Sequence, residues 1–107
     1  MVSNRAGDGW SALADGTRRA IVSRLAEEPL PVGRLAAGLP VTRSAVSQHL
    51  KILKDAGLVS ERAAGTRRIY RLNPTAVAAL RDQLDTFWQR ALANYVDVAE
   101  YATEESP

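Results

Sequence analysis

The sequence predicts a mainly α-helical fold that contains one small β-hairpin, with its elements in the order α-α-α-α-β-β-α. Apolar residues recur at helical spacing in several segments, which are joined by short breaks that contain Gly or Pro. Two short stretches with Val, Ile and Tyr interrupt the helices and flank a connection that contains Gly65, which is typical of a hairpin. The chain has 107 residues and fits one domain, which we place at residues 10–99.

The first part of the chain predicts a flexible arm and then a short helix. Residues 1–9 include Ser, Asn, Gly and Asp with little apolar content, so we expect a loose N-terminal arm. Trp10 and Leu13 form an apolar patch on a first helix, which we expect to break near Asp15 and Gly16. This patch gives the helix one face that can pack against a later element.

The second and third helices are predicted from cap residues and from breaks in the chain. Either Asp15 or Thr17 can cap a second helix that runs to about Ala26. Pro31 suits the first position of a short third helix, because that position needs no backbone N–H. In the connector that follows, Gly38 can take the positive φ of a tight turn. A short helix, a Gly-containing turn and a second helix are the parts of a helix-turn-helix.

The fourth helix has two faces of different chemistry. Thr42 is a suitable N-cap, and Gly57 can end the helix in a left-handed conformation. Val46, Leu50 and Leu53 recur at i, i+4 and i+7, so they form one apolar stripe. The opposite face carries hydroxyl, amide and cationic side chains, namely those of Arg43, Ser47, Gln48, Lys51 and Lys54. Such a helix fits the major groove of DNA, and we predict that it reads DNA sequence.

The hairpin that follows carries a cluster of cations at its tip. We expect strands at residues 58–63 and 67–72, joined by a turn that contains Gly65. The tip holds three arginines, which are Arg62, Arg67 and Arg68. Like charges at this distance are unfavourable without an anionic partner, so we expect the tip to project toward phosphate as a wing. The alternation along the strands is imperfect and leaves open which of the arginines points outward.

The last helix predicts a dimer. Asn73 can cap it and Pro74 suits its first position. Its apolar stripe covers about six turns and consists of Val77, Leu80, Leu84, Phe87, Trp88, Ala91, Tyr95 and Val98. Part of this stripe covers the chain's own core, but large aromatic side chains are costly to leave in water. We therefore predict a two-fold dimer with an interface formed by Trp10, Leu13, Leu80, Leu84, Phe87, Trp88, Ala91 and Tyr95. Residues 100–107 are predicted to form an acidic, frayed tail.

Charge is distributed unevenly along the chain. Residues 1–75 carry a net charge of +6 and residues 76–107 a net charge of −4, although the whole chain carries only +2. A basic body favours a polyanionic partner, here double-stranded DNA. GC-rich coding would explain why 12 of the 14 cations are Arg, but not why they lie mostly in one part of the chain.

Composition and spacing argue against other classes of protein. The chain has no cysteine, which excludes disulfides and thiolate metal sites within it. There is no long uncharged apolar run and no signal peptide, so we expect a cytoplasmic protein without a membrane segment. Ser47 and His49 are two residues apart on a helix and point in different directions, so they cannot act as nucleophile and base. We predict no catalytic residues, no bound metal and no cofactor. The alternative function is a protein-interaction module without specific DNA binding, which the groove-facing Arg, Gln and Lys side chains disfavour.

Four motifs in this order resemble the ArsR/SmtB family of bacterial winged-helix repressors. They are Ala12-Leu13-Ala14-Asp15-Gly16-Thr17-Arg18-Arg19-Ala20-Ile21, Ser44-Ala45-Val46-Ser47-Gln48-His49-Leu50, Ala56-Gly57-Leu58-Val59 and Gly65-Thr66-Arg67-Arg68-Ile69-Tyr70. The resemblance implies a winged helix-turn-helix homodimer that binds an inverted-repeat operator and blocks transcription. It also implies that Arg43, Ser44, Ser47, Gln48 and His49 enter the major groove and that Arg62, Arg67 and Arg68 on the wing reach the adjacent backbone or minor groove. Lys51 and Lys54 suit phosphates better than bases, and with Thr42 they complete the predicted DNA-binding set.

The sequence departs from the metal-sensing members of this family. Pro31 occupies the position of a sensor cysteine, and the last helix has no His. That helix carries only carboxylates, at Asp82, Asp85, Asp97 and Glu100. Oxygen ligands alone suit hard ions better than zinc or copper. The sequence therefore resembles the metal-independent branch of the family, and its effector is unknown.

Overall fold

The structure is a computed structural model that describes residues 5–105, with side chains from residue 9 to residue 96. Five helices and three short strands follow one another in the described part of the chain. They are α1 (Arg5–Ala12), α2 (Gly16–Glu27), β1 (Leu30–Pro31), α3 (Val32–Ala37), α4 (Arg43–Asp55), β2 (Val59–Ala64), β3 (Arg67–Leu72) and α5 (Pro74–Glu105). The predicted mainly helical fold is confirmed.

Side-chain caps begin three of the helices. Asp15 accepts a hydrogen bond from the backbone N–H of Arg18, so Asp15 rather than Thr17 caps α2. The Thr42 hydroxyl accepts from the backbone N–H of Ala45 at 3.1 Å and caps α4. Asn73 accepts from the two N–H groups of residues 75 and 76 and caps α5. The predicted starts of these helices are therefore confirmed.

The core lies where α2, α3 and α4 meet. Its fully buried side chains are Ile21, Leu35, Val46, Leu50 and Leu53. The predicted apolar stripe of α4 thus faces inward along its whole length, and this orientation turns the polar face of the helix to the outside. Residues from the sheet, from α5 and from the turn before β2 close the core, namely Leu30, Val59, Leu80 and Leu58.

The sheet has three antiparallel strands in the order β1-β3-β2, so the prediction of a two-stranded hairpin was incomplete. The added strand β1 pairs Leu30 with Tyr70 and Pro31 with Ile69. Two residues are too few to show an alternating pattern in the sequence. Pro31 lacks a backbone N–H and is tolerated because β1 is an edge strand. This strand ties the start of α3 to the middle of the wing.

Two glycines take positive φ, but Gly38 does not. Gly57 has φ 82° after α4, and Gly65 has φ 64° at the first position of the two-residue hairpin loop. Gly38 has φ −96°, so the prediction of a positive φ there was wrong. Glycine suits this position for another reason, because a Cβ atom on Gly38 would overlap the guanidinium group of Arg24.

Both ends of the domain are more helical than predicted. Helix α1 begins at Arg5, so the prediction of a loose arm over 1–9 is wrong from residue 5 onward, while residues 1–4 lie outside the described part. Packing overrides the low helix propensity of α1, since Gly9 lies against the Leu80 side chain of α5. At the other end, α5 continues through Glu105 instead of fraying from residue 100, because no Gly or Pro interrupts the sequence before Pro107.

Candidate nucleic-acid interface

The outer face of α4 presents most of the predicted DNA-binding side chains together. Five side chains of the predicted set, together with the capping Thr42, are exposed and lie outside the buried stripe; these five are Arg43, Ser44, Ser47, Gln48 and Lys51. The buried stripe fixes the rotation of the helix, so this polar face must point away from the core. Hydroxyl, amide and guanidinium groups on one exposed helix face are able to hydrogen-bond to base edges and phosphates.

His49 does not belong to this exposed face. Its Nδ1 atom lies 3.3 Å from Nη1 of Arg18 and 4.0 Å from Oδ1 of Asp15, at the start of α2. The imidazole is half-buried between α4 and α2, with a side chain that is 21% exposed, so it is less available than the five exposed side chains, and its role as a reading residue stays a prediction. The reason is helical spacing: His49 follows Val46 by three residues and precedes Leu53 by four, which places it beside the apolar stripe.

Asp15 is the anion of this small polar cluster. The hydrogen bond from the backbone N–H of Arg18 lowers the pKa of Asp15 most, and the charges of Arg18 and His49 lower the pKa further. Arg18 also donates from Nε to the carbonyl of Ala12 at 2.6 Å. The cluster therefore joins the end of α1, the cap of α2 and the inner edge of α4.

The register of the hairpin decides which arginines share a face of the wing. Arg62 pairs with Ile69 and Arg68 pairs with Ala63. Because side chains alternate along a strand, Arg62 and Arg67 lie on one face of the hairpin and Arg68 lies on the other. All three side chains are exposed. The register therefore shows which arginines share a face, and all three remain open to solvent.

A cationic cleft separates the wing from the helix-turn-helix. It has a volume of about 580 Å³ and is lined by Pro31, Val32, Gly33, Arg34, Arg43, Ser47, Thr66, Arg67, Arg68 and Tyr70. Within residues 9–96, Arg34, Arg43 and Arg67 form no salt bridge with a carboxylate. Three unpaired guanidinium groups around one cleft create a positive potential that suits a phosphate chain.

Arg34 is a residue of this cleft that the sequence-based prediction missed. It lies on the short helix α3, with Val32 and Leu35 packed in or against the core and Arg34 exposed. The alternation of inner and outer positions on α3 was the available signal. The helix is only six residues long, however, and its outer face offered too few residues to show a pattern.

Glu61 was also missed, and it changes the role of two predicted cations. Its Oε1 atom accepts hydrogen bonds from Nζ of Lys54 at 2.6 Å and from Nη1 of Arg68 at 3.3 Å. The hydrogen bond from Lys54 is the main reason why the pKa of Glu61 is lowered, and the Tyr70 hydroxyl contributes next. Lys54 and Arg68 thus already have an anionic partner within the chain, whereas the other cations predicted to meet phosphate form no salt bridge with a carboxylate among residues 9–96.

Two further observations concern other kinds of site. Within the described residues, no group of three or more His, Asp or Glu side chains is placed so that it could hold a metal ion. None of the helices within residues 5–105 combines the length and the apolar character needed to cross a membrane.

The helix-turn-helix, the Arg-tipped wing and the exposed polar face of α4 define a winged helix-turn-helix DNA-binding protein. A family profile described as a helix-turn-helix domain matches residues 13–62. Over 91 residues the chain is 65% identical to the HTH-type transcriptional regulator Rv2034 of Mycobacterium tuberculosis, and the match covers 85% of each chain. The chain belongs to the ArsR/SmtB family of helix-turn-helix transcriptional regulators, which confirms the resemblance. The members of this family are regulators of transcription.

Solved structures support the same assignment. The crystal structure of a possible transcriptional regulator for arsenical resistance has a TM-score of 0.71 and 43% identity, and the match covers 81% of this chain and 95% of that one. The solution structure of a homodimeric winged helix-turn-helix DNA-binding domain from Mycobacterium bovis, described as a possible ArsR-family regulator, has a TM-score of 0.67 and 30% identity. That match covers 85% of this chain and 84% of the other.

Proposed function

We propose that this transcriptional regulator is a repressor that binds an inverted-repeat operator as a homodimer. The region upstream of its own gene is the first candidate operator. The observation that carries the proposal is the exposed face of α4 beside the cationic cleft, because a duplex held there meets base-reading groups and phosphate-binding groups at once. A cytoplasmic location, with the protein on the nucleoid when it is bound, follows from DNA as the partner.

In this proposal α4 reads the bases. Gln48 suits adenine, Arg43 suits guanine or phosphate, and Ser47 suits either purine or pyrimidine edges. All three side chains are exposed near the middle and the start of α4. Each good bidentate pair contributes about 1–3 kcal/mol of discrimination against the wrong base. Ser44 and the capping Thr42 lie at the helix N-terminus, where a backbone phosphate is favoured.

The cleft and the wing position the protein on the sugar-phosphate backbone. Arg34, Arg43 and Arg67 surround the cleft without a carboxylate partner in the described part of the chain, so each can bind a phosphate without first breaking an ion pair. Arg62 extends the same face of the wing as Arg67, and Lys51 lies one turn beyond Gln48 on α4. These contacts carry affinity and register rather than sequence information.

The dimer is proposed to form through α5. From Leu84 onward its described apolar side chains leave the core, and Phe87, Trp88 and Tyr95 are 60%, 53% and 71% exposed. Phe87 and Trp88 pack edge to face, with ring centroids 5.7 Å apart, and form one aromatic surface. The homodimeric M. bovis neighbour supports pairing of this kind.

The predicted interface divides into an exposed part and a supporting part. Leu80 is only 8% exposed and Leu13 packs against the core, so these two support the interface from within the protomer. Trp10 is 41% exposed and donates from Nε1 to Oε1 of Gln83 at 3.0 Å, which fixes α1 against α5. Ala91 is half-buried on the same helix.

Control without a metal sensor is part of the proposal. A family sensor site needs thiolate or imidazole ligands, and this chain has no cysteine and a single His. That His is His49, which is already engaged with Arg18 beside α4. The switch is therefore proposed to be protein abundance, a protein partner or another ligand.

The test separates base reading from phosphate binding. Gln48→Ala is expected to bring operator affinity closer to the affinity for random duplex, since it removes a base contact. Arg67→Ala is expected to weaken binding to both duplexes and to reduce the salt slope by about 1. Affinities are measured by fluorescence anisotropy between 50 and 200 mM salt, with Arg81→Ala on the exposed side of α5 as the matched control. Equal losses on both duplexes for both variants would contradict this division. A wild type that binds no duplex would favour the protein-interaction alternative.

A further inference from the structure

One carboxylate neutralises two cations at the edge of the proposed DNA surface. Glu61 Oε1 lies 2.6 Å from Nζ of Lys54 and 3.3 Å from Nη1 of Arg68. The Glu61 side chain is only 17% exposed, whereas those of Lys54 and Arg68 are 49% and 66% exposed. The anion is therefore sheltered beneath two cations that themselves reach the solvent.

The position of Glu61 follows from the sheet register and from the end of α4. Glu61 on β2 pairs with Tyr70 on β3, which puts both side chains on the same face of the hairpin as Arg68. Arg68 is the diagonal neighbour of Glu61 on that face, within reach of a long side chain. Lys54 extends to it from the last turn of α4. Glu61 thus connects the recognition helix to the wing.

We propose that Glu61 is a specificity-determining positioning residue, which holds Lys54 and Arg68 away from phosphates and so weakens binding to non-operator DNA. The proposal rests on the proposed function. Binding to non-operator DNA is almost entirely electrostatic and grows with each phosphate that is neutralised. Operator binding also uses base contacts of α4, such as those of Gln48, which are not among the hydrogen bonds of Glu61. The proposal includes that the register fixed by these base contacts keeps Lys54 and Arg68 clear of phosphates on the operator, so that the carboxylate lowers the affinity for random DNA by a larger factor than the affinity for the operator.

The main experiment replaces the charge and keeps the shape. Glu61→Gln is compared with the wild type and with Glu27→Gln, a control with the same change of charge at an exposed end of α2. Dissociation constants for operator and random duplex are measured between 50 and 200 mM salt. For each cation released to a phosphate, the salt slope steepens by about 0.9 and the loss of affinity over this range grows by roughly 3.5-fold. Release of both cations makes the added loss about 12-fold.

The expected result has three parts. Glu61→Gln binds random duplex more tightly at 50 mM salt, its salt slope on random duplex is steeper, and its ratio of operator to random affinity is lower. Glu27→Gln changes the ratio and the slope little. The double variant Lys54→Gln, Glu61→Gln should have a salt slope between those of Glu61→Gln and the wild type, because Lys54 is one of the two cations that Glu61→Gln releases.

A second set of variants leaves Glu61 in place and applies even if Glu61→Gln does not fold. Lys54→Gln and Arg68→Gln are each expected to reduce the salt slope by less than Arg67→Gln does, since Arg67 has no carboxylate partner among residues 9–96. Equal reductions by all three variants would overturn the proposal.

The remaining outcomes separate this proposal from the proposed function. An unchanged slope in Glu61→Gln, or equal losses on both duplexes at an unchanged slope, would show that Glu61 only stabilises the wing. Either result would overturn the proposal while operator binding by the wild type stands. A wild type that binds neither duplex would contradict the proposed function, and the role of Glu61 with it.

Discussion

The turn of the helix-turn-helix depends on one glycine and one arginine. Nη1 of Arg24 donates to the carbonyls of Arg34 and Leu35 at 2.9 and 3.2 Å. These carbonyls lie in the last turn of α3, where a helix leaves carbonyl groups without helical partners, and that of Leu35 also accepts from the backbone N–H of Gly38 at 3.2 Å. A Cβ atom on Gly38 would overlap that Nη1 and would lie 2.8 Å from the guanidinium carbon. Gly38→Ala should therefore displace the guanidinium and break both hydrogen bonds.

The magnitude can be worked from these contacts. A hydrogen bond to a charged group contributes about 1.5–3 kcal/mol to stability. Arg24 is partly exposed, so water can take the place of its guanidinium group at the two carbonyls, and we expect stability to fall by about 1–2 kcal/mol when both bonds break. The backbone at Gly38, with φ −96° and ψ 5°, is allowed for alanine. Alanine also lowers the conformational entropy of the unfolded chain, which stabilises the folded state by about 0.4–1 kcal/mol. The net destabilisation by Gly38→Ala is then roughly 0–1.6 kcal/mol.

A double-mutant cycle tests this reasoning. Free energies of unfolding are measured in urea for the wild type, Arg24→Ala, Gly38→Ala and the double variant, all at one protein concentration because the proposed dimer links stability to concentration. In the Arg24→Ala background, Gly38→Ala should be neutral or stabilising. Gly16→Ala is the control, since its Cβ atom would meet only Arg19 at 3.6 Å. If Gly38→Ala costs the same in both backgrounds, within about 0.5 kcal/mol, the contact with Arg24 is not the reason for the glycine.

Two further predictions concern the dimer and the response to acid. Trp88→Ala removes a half-exposed aromatic side chain of α5, so it should raise the dimer dissociation constant by about 30-fold, as for an interface hot spot. The control Gln89→Ala should leave the dissociation constant unchanged, and sedimentation velocity measures both variants. A wild type that is monomeric at micromolar concentration would refute the interface. The pKa of Asp15 is lowered from 3.8 by its hydrogen bond from Arg18, so its contribution to stability is complete above that pH and is lost as the pH falls through its folded pKa. Asp15→Asn should therefore lose less stability than the wild type between pH 6 and pH 3 in urea unfolding, and equal losses would contradict the role of Asp15.

The helices that bury a long stripe were predictable from sequence. Val46, Leu50 and Leu53 repeat at helical spacing and are fully buried, so the outer face of α4 follows from the inner one. Thr42 and Asn73 were recognisable as caps because their side chains can accept backbone N–H groups at a helix start. The same helical periodicity predicted α5, although the helix was expected to fray from residue 100 and continues to Glu105.

The parts that were missed depend on contacts between distant segments. Strand β1 exists because Leu30 meets Tyr70, forty residues away, and nothing local in a two-residue strand indicates that pairing. In the sequence, Glu61 is simply one acidic residue in a basic hairpin; the fold brings Lys54 and Arg68 to the same carboxylate oxygen, Oε1 of Glu61. Arg24 reaches the end of α3 across ten residues of sequence. Propensity and spacing describe one segment at a time, whereas these contacts are set by how the segments pack.

The central claim is that α4 and the wing read a specific operator as a two-fold dimer. The most direct measurement is a footprint of the wild type on the region upstream of its own gene, with and without a chelator. We predict one protected region made of two inverted half-sites, whose centres lie about 10 base pairs or a multiple of that apart, with protection unchanged by the chelator. Uniform weak protection of the whole fragment, or a protected region without two-fold symmetry, would contradict this account.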